Sequence, residues 1–235
     1  MQAWIESSGG AQPALWIVVP AYNEATVIGA TLLGLGAFLP HVVVVDDGSS
    51  DTTFDRAVGA GAHVVRHVVN LGQGAALQTG IDYALARGAA WICTFDADGQ
   101  HDPISIVQMR EAARRTGADV VLGTRSGTAR SDVSPARRLL LAAALWYTRA
   151  QTRLPLTDTH NGLRLFSRDA AERLRLEQRG MAHASEILGV IARDRLRLVE
   201  VPTTVRYTTY SLAKGQRLSN AVRIAFDLLY ARIIR

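Results

Sequence analysis

Val42-Val43-Val44-Val45 is a run of four β-branched residues with nothing polar between them. Side chains along a strand alternate between the two faces of a sheet, so a strand made only of valine must be covered on both. Cover on both faces is the arrangement of a mostly parallel sheet between layers of helix. Directly after the valines come Asp46-Asp47-Gly48-Ser49-Ser50-Asp51-Thr52-Thr53. A strand buried in this way needs no carboxylates at its tip in order to fold. In an open α/β sheet that tip lies at the edge where ligands bind.

The same grammar recurs. Residues 15–19 are apolar and lead into Pro20-Ala21-Tyr22-Asn23-Glu24. Pro20 is expected to stop the strand, and Asn23 to cap a helix with Val27, Ile28, Leu32 and Leu35 on one face. Residues 63–66 read as a short strand, and Asn70-Leu71-Gly72-Gln73-Gly74 opens a helix running to about Arg87. Residues 89–95 read as a buried strand ending in Asp96-Ala97-Asp98-Gly99-Gln100-His101. Asp102-Pro103 predicts a helix start, the helix covers 104–116, and a strand at 119–123 ends at Thr124-Arg125. This alternation predicts a doubly wound sheet with three acidic or polar strand tips in one layer.

After Arg125 the pattern changes. Residues 126–134 read as a loop, and Pro135 opens a helix carrying Arg137-Arg138 and an apolar stretch over 139–147. A polar turn around Asp158, His160 and Asn161 precedes a short strand at 165–166. Residues 167–195 read as one helical segment with Ala184, Ile187, Leu188 and Ile191 in a stripe. A strand at 196–201 stops at Pro202. A polar loop with Lys214 follows, then a basic amphipathic helix at 218–235.

Asp96 and Asp98 are two like charges that repel unless something positive lies between them. Mg²⁺ or Mn²⁺ fits, taking oxygen ligands and keeping positions open for phosphate. Asp47 suits the N–H groups of a base or ribose hydroxyls, and the glycines at 72 and 74 permit close approach to an anion. Cys93 is the chain's one cysteine, so no disulfide forms within it and a reducing compartment is expected. No basic segment precedes an apolar core near residue 1, and the 139–147 run falls far short of the roughly 20 residues of a spanning helix. A formal charge of +5 is compatible with phosphorylated substrates or an anionic membrane surface. Nucleic acid is not expected. A dinucleotide oxidoreductase is excluded because 20–24 holds no Gly-x-Gly-x-x-Gly. A nucleotidyltransferase would need a Gly-rich basic loop directly after the first strand.

Together these motifs resemble glycosyltransferase family 2, in particular the polyprenyl-phosphate transferases related to dolichyl-phosphate mannose synthase. The carriers are residues 18–24, 46–52, 70–75, 96–101 and Gly123-Thr124-Arg125. The resemblance implies a GT-A fold, an α/β mixed sheet with helices on both faces. It also implies a donor linked to UDP or GDP, a divalent metal and inversion at the anomeric carbon. Residues 1–13 would be a flexible arm, 14–125 the nucleotide-sugar half, and 126–235 the acceptor-side half of the same domain. Pro20, Tyr22, Asn23, Glu24, Asp47, Gly72, Gln73, Asp96 and Ala97 would line the donor site, and Asp96, Asp98 and Gln100 would hold the metal. Arg125, Arg137, Arg138, Asp158, His160 and Asn161 would face a lipid-phosphate or saccharide acceptor. Asp98, Arg125, Lys214 and Glu186 are the expected catalytic set, with Glu186 and Asp158 as candidate bases for a hydroxyl acceptor. Only Lys214 aligns with the synthases' loop after the last strand, and that run is similar to members linked to surface polysaccharide. The expected setting is cytoplasmic, with the 135 helix and the last helix on a membrane or on a second subunit. The competing expectation is an impaired transferase-like scaffold that binds nucleotide without turnover.

Overall fold

The computed structural model describes residues 14–125, 135–158, 161–178 and 182–204. Their seven strands form one sheet, in the order β3-β2-β1-β4-β6-β5-β7. They are β1 (Leu15–Ala21), β2 (Val42–Asp46), β3 (His63–Arg66), β4 (Trp91–Thr94), β5 (Val120–Arg125), β6 (Arg164–Ser167) and β7 (Leu198–Thr203). Pairing is parallel throughout except at β6, which runs antiparallel between β4 and β5. The helices are α1 (Ile28–Leu35), α2 (Thr53–Gly59), α3 (Gln73–Ala86), α4 (Ile104–Thr116), α5 (Pro135–Thr152), α6 (Arg168–Arg173) and α7 (His183–Arg193).

The valine run behaves as its composition demands. Val43 and Val45 enter the core beneath α3, α6 and α7, and Val42 and Val44 enter the core beneath α1, α2 and α4. All four are fully buried, each worth about 1.5–3 kcal/mol relative to exposure. Strands from both halves of the chain share this sheet.

Four expectations need correction. Pro202 does not stop the last strand, since it pairs in register with Thr124 and β7 runs on to Thr203. Pro20 does not end β1, since it pairs in register with Val45 and the strand runs on to Ala21. The Val18 carbonyl accepts from Phe95 N on the β4 side, whereas the Ala21 carbonyl accepts from Asp47 N on the β2 side. By the period of two, Pro20 faces the β4 side, where pairing has already ended at Val18, so its missing N–H costs nothing. Asn23 does not cap a helix. It sits at φ 54°, and α1 begins only at Ile28 with no side-chain cap. Residues 167–195 are not one helix: α6 ends at Arg173 and α7 begins at His183. Ser167 Oγ accepts from Ala170 N to start α6, which ends where Leu174 turns extended. Leu174 and Leu176 are buried and Arg175 and Glu177 exposed, so the local period there is two, which a helix cannot use.

Residues 1–13, the 126–134 loop, His160, Lys214 and the expected 218–235 helix lie outside the described residues, as do the side chains of Arg125, Arg137 and Arg138. Among the described residues no helix is long and apolar enough to cross a membrane.

Candidate active site

The tips of β1 and β2 are laced together by the polar residues that follow the valines. Asn23 N donates to Ser49 Oγ at 2.9 Å, and Ser50 N donates to Asn23 Oδ1 at 2.9 Å. Glu24 N donates to Thr53 Oγ1 at 2.8 Å, and Ala25 N to Asp51 Oδ2 at 3.1 Å. Asn23 therefore bridges two loops, and its left-handed backbone, which Asn tolerates, makes the reach possible. The lacing leaves Glu24 only 7% exposed but Tyr22 46% exposed at the same tip.

Asp46 is fully buried: it accepts from Ser49 N at 3.1 Å, and its Oδ2 forms an ion pair with Arg66 Nε at 3.1 Å. Asp47 turns toward the β3–α3 loop. Its Oδ1 accepts from Leu71 N at 2.9 Å and His67 Nδ1 at 2.7 Å, and its Oδ2 from Gly72 N at 2.8 Å. His67 Nε2 in turn pairs with Thr79 Oγ1 at 3.0 Å. Asp47 thus fastens the start of α3 to the tip of β2, and the amides of Leu71 and Gly72 are spent on it. The expectation of an Asp47 open to a base therefore meets a carboxylate that already accepts from three groups of the protein.

The acidic loop after β4 is a turn, so Asp96 and Asp98 are not successive same-face residues of an extended strand. They are nonetheless close enough to repel, and their surroundings divide them. Asp96 Oδ2 accepts from His101 Nε2 at 2.9 Å, and its side chain is 29% exposed. Burial opposes its ionisation, but the His101 hydrogen bond and the charges of His101, Arg164 and His183 outweigh that. They hold the carboxyl below the usual range. Room for it is made by Gly162, where a Cβ would collide with the Asp96 carboxylate. Asp98 has the opposite setting. Burial, then the charge of Asp96, push its carboxyl up. Gln100 N, donating to Oδ1 at 3.1 Å, and His101 oppose this, and Glu24 adds to it. Glu24 from the loop after β1 and Asp98 from the loop after β4 are therefore neighbours across the site.

Arg164, buried at the start of β6, donates from Nε to Asn161 O at 3.1 Å. Burial lowers its guanidinium to about 10 against the pull of Asp96 and Asp158. Asn161 is buried with its amide committed: Nδ2 donates to Thr203 Oγ1 at 3.2 Å and Oδ1 accepts from Leu163 N at 2.9 Å. It shapes the turn before β6. Asp158 is half-buried beside Arg164, and Thr157 next to it is clamped by Glu200, which accepts from Thr157 N at 2.7 Å and Oγ1 at 2.6 Å. Glu186 on α7 accepts from the backbone of Glu177 and Gln178.

His67, Arg164 and His183 were not singled out from the sequence. His183 carried no signal beyond standing in an apolar stripe. Arg164 had one: an arginine inside a buried strand must face a carboxylate. Among the described residues, no group of three or more His, Cys, Asp or Glu side chains is arranged to hold a metal. The donor chemistry at Asp98 does fit one. Asp98, crowded by Asp96 and Glu24 and accepting from Gln100 N, offers the hard oxygen ligands such a cation takes.

This mixed α/β sheet carries acidic residues at the tips of neighbouring strands, and the chain belongs to glycosyl transferase family 2. The family model matches residues 16–175. Undecaprenyl-phosphate mannosyltransferase of Micrococcus luteus is 33% identical, over 80% of this chain and 81% of that one. Polyprenol monophosphomannose synthase of Mycolicibacterium smegmatis is 30% identical, over 89% and 83%. Glucosyl-3-phosphoglycerate synthase of Mycobacterium tuberculosis, at 23% identity, superposes with a TM-score of 0.68 over 94% of this chain and 81% of that one. That synthase has also been crystallised with Mn²⁺, uridine diphosphate and glucosyl-3-phosphoglycerate. The protein is a glycosyltransferase with the α/β GT-A fold.

Proposed function

We propose that this glycosyltransferase moves a sugar from a nucleoside-diphosphate donor, UDP- or GDP-linked, to a polyprenyl phosphate, with inversion and with a divalent cation at Asp98. The acceptor class rests on the names of the two relatives above. The observation that carries the site is the division between Asp96, satisfied by His101 and Arg164, and Asp98, crowded by Asp96 and Glu24.

An oxygen of the acceptor phosphate would bond to the anomeric carbon as the bond to the donor diphosphate breaks. The electron pair leaves with the nucleoside diphosphate. Asp98, with Asp96 and Gln100, would hold Mg²⁺ or Mn²⁺, which when bound offsets the charge growing on the departing diphosphate. Pro20, Tyr22, Asn23 and Glu24 would border the nucleoside, and the exposed Tyr22 ring offers it a face. Asp47 would act by fixing Gly72 and Gln73 in place, and Ala97 by holding the acidic turn through Thr31, whose hydroxyl donates to its carbonyl at 2.8 Å. Arg125 and Lys214 would add positive charge, and an ionised phosphate acceptor needs no general base. A bilayer acceptor implies peripheral attachment at the cytoplasmic face, for which Trp146, 71% exposed on α5, offers an anchor.

The test is a donor screen reading released nucleoside diphosphate, with and without polyprenyl phosphate and Mn²⁺. Acceptor-dependent release in wild type, reduced by about 10²-fold or more in Asp98→Asn, is expected. Release independent of any polyprenyl phosphate would overturn the acceptor, and near wild-type release by Asp98→Asn would overturn the metal role.

A further inference from the structure

The carboxylate of Glu186 grips two successive backbone amides. Glu177 N donates to both of its oxygens at 3.1 Å, and Gln178 N to Oε2 at 3.2 Å. The segment so held, 174–178, leaves α6 with Leu174 and Leu176 buried in the core beneath α3. Its middle is tied to α3 itself, where Leu176 N donates to Gln78 Oε1 at 2.8 Å. Its end lies across the first turn of that helix. A Cβ at Gly74 would collide with the Gln178 carbonyl oxygen and stand 3.1 Å from His183 Cβ. His183 is 5% exposed, and its charge helps to depress Asp96. The end of the strap thus lies against the glycine-bearing start of α3, and His183 beside it is near enough to Asp96 to act on its charge.

We infer that Glu186 is a positioning residue that acts through this strap: by holding Glu177 and Gln178 against Gly74, it sets the wall beside the donor's diphosphate. A general base needs a lone pair aimed at the acceptor's proton. Here three contacts from strap amides fall on the two oxygens. Gly74 has no side chain because a carbonyl occupies the place of one, so the wall fits only while the strap stays down. The inference rests on the nucleoside-diphosphate reading of the site.

The experiment is calorimetric titration of UDP and of GDP, each with Mn²⁺, into wild type, Glu186→Gln, Glu186→Ala, Gly74→Ala and the Glu186→Ala/Gly74→Ala double variant. This measures binding without chemistry. Glu186→Ala is expected to weaken binding of the preferred nucleotide about tenfold, roughly 1.4 kcal/mol. Glu186→Gln keeps one acceptor and should lose less. Gly74→Ala strikes the same contact from the other side, and the double variant should be no weaker than the weaker single, because both act through one strap. Wild-type affinity in Glu186→Ala, with acceptor-dependent turnover down by about 10²-fold or more and the acid limb of its pH profile gone, overturns the inference in favour of a base. Additive losses in the double variant overturn the shared strap. Wild type binding neither nucleotide defeats the underlying site reading instead. If thermal melts show Glu186→Ala unfolded, the comparison of Glu186→Gln with Gly74→Ala decides between strap and base in its place.

Discussion

Asp98 is a residue whose ionisation the fold penalises. Burial and the neighbouring Asp96 raise its pKa, so it binds a proton more tightly folded than unfolded. The penalty begins as pH rises past the ordinary carboxylate value of about 3.9, grows through the raised value and persists at neutrality. Asp98→Asn removes the charge and keeps the shape. The metal-free variant should therefore melt higher than wild type at pH 7. A gain on the order of 1 kcal/mol corresponds to about 2–4 °C in a chain of this size. A melt in chelator tests this, and a lower midpoint would mean that the carboxylate has a partner worth more than its repulsion. Cys93 shows the same physics without function: burial pushes its thiol up, which keeps it protonated and inert in β4.

At the scale of elements, the β1 and β2 tips are one structure. Asp51 joins them, accepting from Ala25 N at 3.1 Å and from Thr53 N at 2.9 Å. Burial works against its charge, yet the Thr53 and Ala25 hydrogen bonds hold its carboxyl below the usual range. Asp51→Ala should cost about 1 kcal/mol, as loss of a helix cap does. It should lower the denaturation midpoint with an unchanged slope, and it should weaken nucleotide binding by freeing the Tyr22–Glu24 turn. Unaltered binding would show that the turn holds its shape without β2. The elements themselves were largely readable in the chain. The valine run, the alternation through residue 123 and the 104–116 helix appear where their periodicity puts them. Two kinds of feature were not readable. Pro20 looked like a stop because local propensity cannot see that its strand has already lost its neighbour on that side. Asn23 and Asp47 looked like a cap and a ligand because their partners, Ser49, Ser50, His67 and Leu71, arrive from other loops. The acidic pair was visible at once, but its division into a satisfied Asp96 and a crowded Asp98 depends on Arg164, His183 and Glu24, which only the closed sheet assembles.

For the molecule as a whole, these charges define a stability profile. Asp51, Asp96 and Asp119 all sit below the ordinary carboxylate range; in Asp119, Arg197 outweighs the cost of burial. Depressed carboxylates contribute stability that is complete above the unfolded pKa and lost as pH falls through the folded values. The metal-free protein should therefore weaken below about pH 4. Asp98 runs the other way, so its cost grows above that point. A cation bound at Asp98 displaces its proton and cancels that cost, so ligand stabilisation must itself depend on pH. Melting midpoints measured from pH 4 to 8, with and without Mn²⁺ plus the preferred nucleotide, should show a ligand-induced rise that grows with pH until Asp98 is fully ionised and then levels. In Asp98→Asn the Mn²⁺-dependent part of that rise should vanish at every pH. A wild-type rise that is the same at pH 4 and pH 7 would place the cation away from Asp98, because no proton would then leave as it binds.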